Sequence, residues 1–150
     1  MKNIIMILRP LQWTKNLFCF AGLIFGGKLF DINSILLSLI TFSLFCSTAS
    51  GVYIFNDIID MKHDKHHPKK QYRPIASGEI NVMTASIMAI IILSGSLLAS
   101  YHVGHNILNI LIIYIINNIL YSLKLKHVPI IDVFSIGIGF VMRWLAGIYI

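Results

Sequence analysis

Charge is what this sequence lacks. Of 150 residues only 12% are Asp, Glu, Lys or Arg and 57% are hydrophobic, whereas soluble domains carry roughly 25% charged residues. No charged residue falls between Asp31 and Asp57, and none between Glu79 and Lys124, where only the polar "YHVGH" at 101–105 interrupts the apolar run. These gaps exclude a chain whose only solvent is water, because each holds stretches of about 20 apolar residues, enough to cross a hydrocarbon core of roughly 30 Å. The pattern predicts an all-α, polytopic transmembrane bundle of about five spans, over residues 10–28, 34–56, 82–101, 105–123 and 129–150. In the first, the uncharged run from Asn16 to Gly27 reaches span length only if Lys15 lies within the helix or snorkels to its end.

Other scarcities narrow the class. The two cysteines, Cys19 and Cys46, both fall inside expected spans and read as small apolar residues rather than as a disulfide or metal pair. "MKNIIMIL" is ended by Arg9 and Pro10 with no small-residue cleavage site, so the first apolar segment reads as permanent rather than as a signal peptide. No internal repeat or low-complexity tract stands out; residues 1–150 read as one membrane domain with one long charged loop at about 57–81. Without a soluble domain, the net charge of +6 suits anionic headgroups or phosphorylated substrates, and no nucleic-acid partner is expected.

The basic residues that are present choose a side. With the N-terminus inside, Lys2, Arg9, Lys15, Lys62, Lys65, Lys69, Lys70, Arg73, Lys124 and Lys126 are cytoplasmic or juxtamembrane, Lys28 alone is outside, and Arg143 lies within the last span. That bias predicts a multi-pass cell-membrane protein with a cytoplasmic N-terminus and a cytoplasmic 57–81 loop.

The loop holds the charge the rest of the chain avoids: "YIFNDIIDMKHDKHHPKKQYRPIASG" at 53–78. Asp57, Asp60 and Asp64 stand at i, i+3 and i+7, so a helix places them within one narrow sector, with Asn56 beside them. Stacked carboxylates repel, and a cation is expected among them. Hard oxygen ligands select Mg²⁺ or Ca²⁺, and Mg²⁺ takes one or two carboxylates and completes its shell with water and substrate phosphate oxygens. Lys69, Lys70 and Arg73 follow closely enough to meet phosphate oxygens, Arg in bidentate fashion. A solvated loop obeying the positive-inside rule would explain the lysines but not the acidic row. "HDKHH", with His63, His66 and His67 beside Asp64, is an alternative transition-metal site of non-standard spacing; His67 before Pro68 equally shapes a turn.

"NDIIDMKHD" at 56–64 matches the N-D-x-x-D-x-x-x-D signature of the UbiA superfamily of intramembrane prenyltransferases. With "RPLQWTKN" at 9–16, "YSLKLKHVPIIDV" at 121–133 and "GFVMRWLAG" at 139–147, the chain resembles the decaprenyl-phosphate phosphoribosyltransferase branch from residue 9 to its last. The resemblance implies a helical bundle around a cavity open to lipid, with Mg²⁺ as cofactor, a diphosphate-containing donor and a polyprenyl lipid acceptor. Carried over by position, Asn56, Asp57, Asp60 and Asp64 hold metal and diphosphate. Lys15, Lys69, Arg73, Tyr121 and Arg143 bind substrate, and Asp57, Asp60, Lys126 and Asp132 are the catalytic group at the cavity mouth. Physical reading agrees in part: Asp132 and Arg143 are ionisable residues in or near a span, which face a bundle interior or aqueous cavity, although Arg143 also suits a purely structural pairing and Lys126 a positive-inside anchor.

Two departures are expected to matter. Aromatic prenyltransferases of the superfamily often show Tyr followed four residues later by Lys, whereas here Leu125 takes that place between Lys124 and Lys126, which favours ribosyl over aromatic prenyl transfer. Members generally have about nine spans and a second acidic region, so this chain is expected to be an N-terminal part, completed by a C-terminal half or by oligomerisation. The competing expectations are therefore prenyl transfer from a polyprenyl diphosphate to an aromatic acceptor, and a catalytically silent membrane fragment.

Overall fold

An acid begins the longest helix. Asp31 accepts hydrogen bonds from the Ser34 amide (3.0 Å) and hydroxyl (2.6 Å), which satisfies orphan donors of the first turn and starts the helix Ile32–Asp64. Asn81 does the same for Val82–Val103 through the Thr84 amide (2.7 Å). The computed structural model describes residues 2–150; Met1 and the side chain of Lys2 lie outside it. In chain order the helices are α1 (Lys2–Leu8), α2 (Ala21–Phe25), α3 (Ile32–Asp64), α4 (Val82–Val103), α5 (His105–Leu123) and α6 (Ile131–Ile148). A 3₁₀ segment (Pro10–Phe20) joins α1 to α2, and short 3₁₀ turns lie at Lys70–Tyr72 and Leu125–His127.

Four of these, α3 to α6, are long and apolar enough to cross a membrane, at the places the charge gaps predict. The expected span 10–28 takes another form: the 3₁₀ segment continues into α2. At about 2.0 Å rise per 3₁₀ residue and 1.5 Å per α residue, these two pieces reach about 30 Å.

α3 is the mast of the bundle, touching every other α-helix and the 3₁₀ segment. Its inner face is lined with small residues. Gly51 lets α4 approach so closely that an added Cβ would fall 2.7 Å from Leu93 Cγ, and the Ser96 hydroxyl donates to the Ser47 hydroxyl at 2.8 Å. Small residues and such polar links are how helices associate where lipid removes the hydrophobic drive between them. Around the middle of α3, Phe45, Ala49 and Val52 pack with Cys19, Leu111, Tyr114 and Ala146; both cysteines are free thiols, as expected. α4, by contrast, presents Ile87, Ile90, Ile91 and Leu98 outward.

The α2–α6 contact rests on bare backbone: a Cβ at Gly22 would lie 1.8 Å from the Gly147 carbonyl oxygen, whereas nothing stands within 4 Å of one at Gly95 in α4. Gly22→Ala is expected to destabilise by about 1–3 kcal/mol through overpacking, and Gly95→Ala to stabilise by about 0.5–1 kcal/mol through helix propensity. Thermal melts of the detergent-solubilised chain test the pair; two equal shifts would contradict this packing. The Ser34 hydroxyl and amide also hold the Asp31 carboxyl below the usual carboxylate range. A depressed folded-state pKa stabilises at higher pH and loses that contribution as pH falls through it. Protection factors of the first-turn amides of α3, with the intrinsic pH dependence of exchange divided out, are therefore expected to fall on acidification, and pH-independent protection would refute the cap's role.

Candidate active site at the acidic end of the bundle

By helical rise, residues 32–56 of α3 take up about 37 Å, so Asn56–Asp64 emerges where an apolar layer of roughly 30 Å has ended. The carboxylates there are nonetheless buried, Asp57 being 3% and Asp64 2% exposed. A single atom, Arg73 Nη1, donates to both, at 3.0 Å to Asp57 Oδ1 and 2.6 Å to Asp64 Oδ2. Arg9 also donates to Asp57, with its guanidinium 5.2 Å above the Tyr53 ring, and Lys70 Nζ stands 4.0 Å from Asp64 Oδ1. Asp60 pairs instead with Lys126, from the turn between α5 and α6. The division follows from the helix: Asp64 lies about 20° around the axis from Asp57, and Asp60 about 60°.

The 65–81 loop supplying Arg73 is a folded cap, not a solvated tether. Ile75 and Ala76 are buried, Ile75 in a cluster with Ile7, Ile54, Ala85 and Ala89. The His67 ring accepts from the amides of Lys69 and Lys70 at 3.2 and 3.3 Å, and the Ile80 amide donates to Pro74 O at 2.9 Å. His67 thus shapes the turn. His66 Nδ1 lies against Lys62 O at 3.0 Å, so "HDKHH" does not converge as a transition-metal site. Arg9 itself adopts the left-handed conformation (φ 53°) that non-glycine residues rarely take. That turn joins α1 to the 3₁₀ segment and brings its side chain to α3; Ser50 secures the same junction by donating to Leu8 O (2.8 Å) and accepting from Trp13 Nε1 (3.0 Å).

One turn deeper than Asp57, beside Tyr53, a cavity of about 210 Å³ opens between the 3₁₀ segment, α3, α5 and α6, and Lys15, Tyr121 and Arg143 line it. Arg143 is 4% exposed. It donates through Nε to Asn16 Oδ1 (2.6 Å), through Nη1 to Gly139 O (2.6 Å) and through Nη2 to the Tyr114 hydroxyl (2.9 Å). Asn16 in turn donates to Cys46 Sγ at 3.2 Å.

Most of the expected site residues therefore meet at one end of the chain, but not all as expected. Asp57, Asp60, Asp64, Arg73 and Lys126 converge, with Asn56 half-buried beside them. Lys69 is exposed and forms no ion pair among the described residues; Lys70 takes the place beside Asp64, because the turn that His67 closes presents Lys70 to α3. Asp132 stays apart, half-buried in the first turn of α6, its Oδ1 accepting from the Val133 amide at 2.7 Å, a favourable place for a negative charge at a helix start. Arg9, Asn16 and Tyr114 were not anticipated. By its sequence Arg9 reads as an orientation charge, and Asn16, a lone amide opening an uncharged run, is the signal that points to the inner network.

The oxygen-rich acidic row fits a hard divalent cation. Asp57 and Asp64 already converge on one cationic atom, Arg73 Nη1. Among the described residues no group of three or more His, Cys, Asp or Glu gathers as a metal cage.

Comparison with known proteins agrees with this architecture. The chain is 34% identical over 149 residues to a decaprenyl-phosphate phosphoribosyltransferase of Corynebacterium glutamicum, covering 97% of this chain and 45% of that protein. It is 32% identical to the protein of the same name from Mycolicibacterium smegmatis, covering 97% and 47%. The chain thus spans about half the length of the curated relatives it matches. Its fold superposes on a UbiA homolog from Archaeoglobus fulgidus bound to GPP and Mg²⁺ with a TM-score of 0.82, at 23% identity and over 99% of this chain and 53% of that one. A digeranylgeranylglyceryl phosphate synthase superposes with a TM-score of 0.84, at 26% identity and over 98% and 53%. The model of the UbiA prenyltransferase family matches residues 16–150; this multi-pass helical membrane chain belongs to that family.

Proposed function

We propose that this chain carries the donor-binding part of a Mg²⁺-dependent transferase that moves 5-phosphoribose from phosphoribosyl diphosphate to a polyprenyl phosphate. The observation that carries the reading is the clasp at the end of α3, where three carboxylates pair with four basic side chains, Arg9, Lys70, Arg73 and Lys126. Relatives named decaprenyl-phosphate phosphoribosyltransferase support the choice of donor and acceptor.

Asn56, Asp57, Asp60 and Asp64 would hold the metal. When bound, Mg²⁺ would neutralise the oxygens of a diphosphate as it departs. Arg73 and Lys70 then meet the same phosphate oxygens, Arg73 in bidentate geometry, and Lys126 supplies charge beside Asp60. These groups stabilise charge that develops on the leaving diphosphate. The lipid phosphate is the nucleophile, so the protein needs to supply none. Orientation follows the basic residues, with the clasp and the N-terminus on the cytoplasmic side, next to a soluble donor and anionic lipid headgroups.

Prenyl transfer to an aromatic acceptor is the second reading, favoured by the likeness to UbiA homologs bound to GPP or DMAPP with Mg²⁺. Membranes from cells expressing the gene that encodes this sequence, incubated with labelled phosphoribosyl diphosphate and decaprenyl phosphate, are expected to yield solvent-extractable label. Transfer only from a labelled prenyl diphosphate would decide for the second reading, and transfer from neither donor for a silent chain.

Asp57→Ala and Asp60→Ala are each expected to lower turnover about 100-fold or more while membrane fractionation stays unchanged; wild-type turnover in both would remove the clasp from the mechanism. Arg73→Gln removes the shared partner of two buried carboxylates and leaves Asp57 to Arg9 and Asp64 to Lys70, at a cost of roughly 3 kcal/mol, read as lowered thermal stability in EDTA. Added Mg²⁺ is expected to restore part of that loss in the variant more than in the wild type, and equal Mg²⁺ responses would contradict a shared cation position.

A further inference from the structure

α1 is apolar on both sides, and among the described residues the bundle covers one of them. From Ile4 to Leu8 every residue of the helix is Ile, Met or Leu. Ile7 is fully buried and packs in one cluster with Ile54 of α3, Ile75 of the 65–81 loop, and Ala85 and Ala89 of α4. Ile4, Ile5 and Met6 turn the other way, 50%, 58% and 45% exposed. A helix hydrophobic all round belongs in an apolar surrounding, and one so short has no stability of its own in water.

Its place in the fold says which surrounding. The carbonyl of Leu8 accepts from Ser50, and the next residue, Arg9, donates to Asp57, so α1 ends at the level where α3 leaves the apolar layer. It does not cross that layer. The left-handed backbone of Arg9, followed by Pro10 with no N–H to continue a helical ladder, turns the chain aside between α1 and the 3₁₀ segment. The outward side of α1 also continues a surface that faces lipid. Ala85 and Ala89 of α4 pack with Ile7, while Met83, Ile87 and Ile90 of the same helix point away from the bundle, in a segment long and apolar enough to span a membrane.

The charge beside α1 is mostly of one sign. Ile58 and Met61 pack against the cluster that holds Ile7. Four residues beyond each of them, on the same side of α3, stand Lys62 and Lys65, both exposed. Lys69 is exposed as well, and Glu79 is the single acid of the 65–81 loop. Interfacial helices hold a leaflet by this combination: apolar side chains enter the boundary between headgroups and acyl chains, and nearby lysines are drawn to the negative surface potential.

We propose that α1 is a membrane-surface foot that binds anionic phospholipid. Ile4, Ile5 and Met6 enter the leaflet at the clasp end of the bundle, and Lys62 and Lys65 meet its anionic headgroups. The foot adjoins the clasp through Arg9, because the residue that ends α1 is the one paired with Asp57. The contact is with the leaflet rather than with the transferred group, and it holds whichever donor the protein uses.

Fluorophore labelling of the full chain in vesicles tests the foot, both native cysteines being buried. An environment-sensitive label on Ile5→Cys is expected to be quenched by nitroxide-bearing lipid and to resist aqueous iodide. The same label on Gln71→Cys, at an exposed position of the loop, is expected to behave in the opposite way. Equal iodide access at the two positions would overturn the foot. Shielding of Ile5→Cys from iodide without quenching by nitroxide lipid would assign the cover to protein, another segment or a second copy, and would overturn it too. In mixed vesicles, nitroxide-bearing phosphatidylglycerol is expected to quench the Ile5→Cys label as if enriched about fivefold over phosphatidylcholine, the factor that one lysine near an anionic surface supplies. Lys62→Gln combined with Lys65→Gln is expected to erase that preference and leave the depth of the label unchanged. Equal quenching by the two lipids, or a preference that the double variant keeps, would overturn the assignment of these lysines to anionic headgroups.

Discussion

Three carboxylates on one helix end, two of them buried and one half-buried, require cations brought from elsewhere in the chain, and much of the structure at that end delivers them. Arg73 arrives on a loop anchored by Ile75, Arg9 on a left-handed turn ahead of the 3₁₀ segment, and Lys126 on the turn between α5 and α6. Removing one partner of a buried pair leaves an uncompensated charge, which costs more than the intact pair contributes. The clasp therefore ties the loop, the N-terminal segment and the α5–α6 connection to α3 at once. Under the proposed function the same groups would engage a metal-bound diphosphate, so structural counterions and substrate ligands would be one set of residues.

The two charge systems of the bundle differ in kind. At the end of α3 three acids face Arg9, Lys70, Arg73 and Lys126, three negative charges against four positive, close to balance. Inside the bundle, the partners of Arg143 among the described residues are neutral, Asn16, Gly139 and Tyr114. Near balance suits a place where a cation and a polyanion enter together and exchange partners. The two lie about one helical turn apart along α3, from Asp57 to Tyr53, so groups held in them would be neighbours.

Some of the chain's departures from regular helix serve this placement. The 3₁₀ segment brings Lys15 to the cavity wall and Asn16 to Arg143. Gly22 and Gly147 let α2 and α6 touch through backbone, which brings α6, and with it Arg143, against the 3₁₀ segment. Ser and Thr along the inner face of α3 leave three buried hydroxyls, on Ser38, Thr41 and Thr48, without partners, a feature for which we have no physical account.

Charge gaps by themselves determined where α3 to α6 lie, because an apolar run of span length has few other stable solutions, and the i, i+3, i+7 spacing determined that an acidic face would form at a helix end. The sequence also showed that cations must answer that face. Which cations do so was a matter of tertiary structure: Arg9 and Lys126 reach their partners across 48 and 66 residues of chain, and Lys70 displaces Lys69 through a turn that the His67 ring closes. Spacing is local and could be read along the chain. Pairing depends on where distant segments are brought by packing, so the counterions of the clasp and the neutral partners of Arg143 became visible only when the helices were assembled.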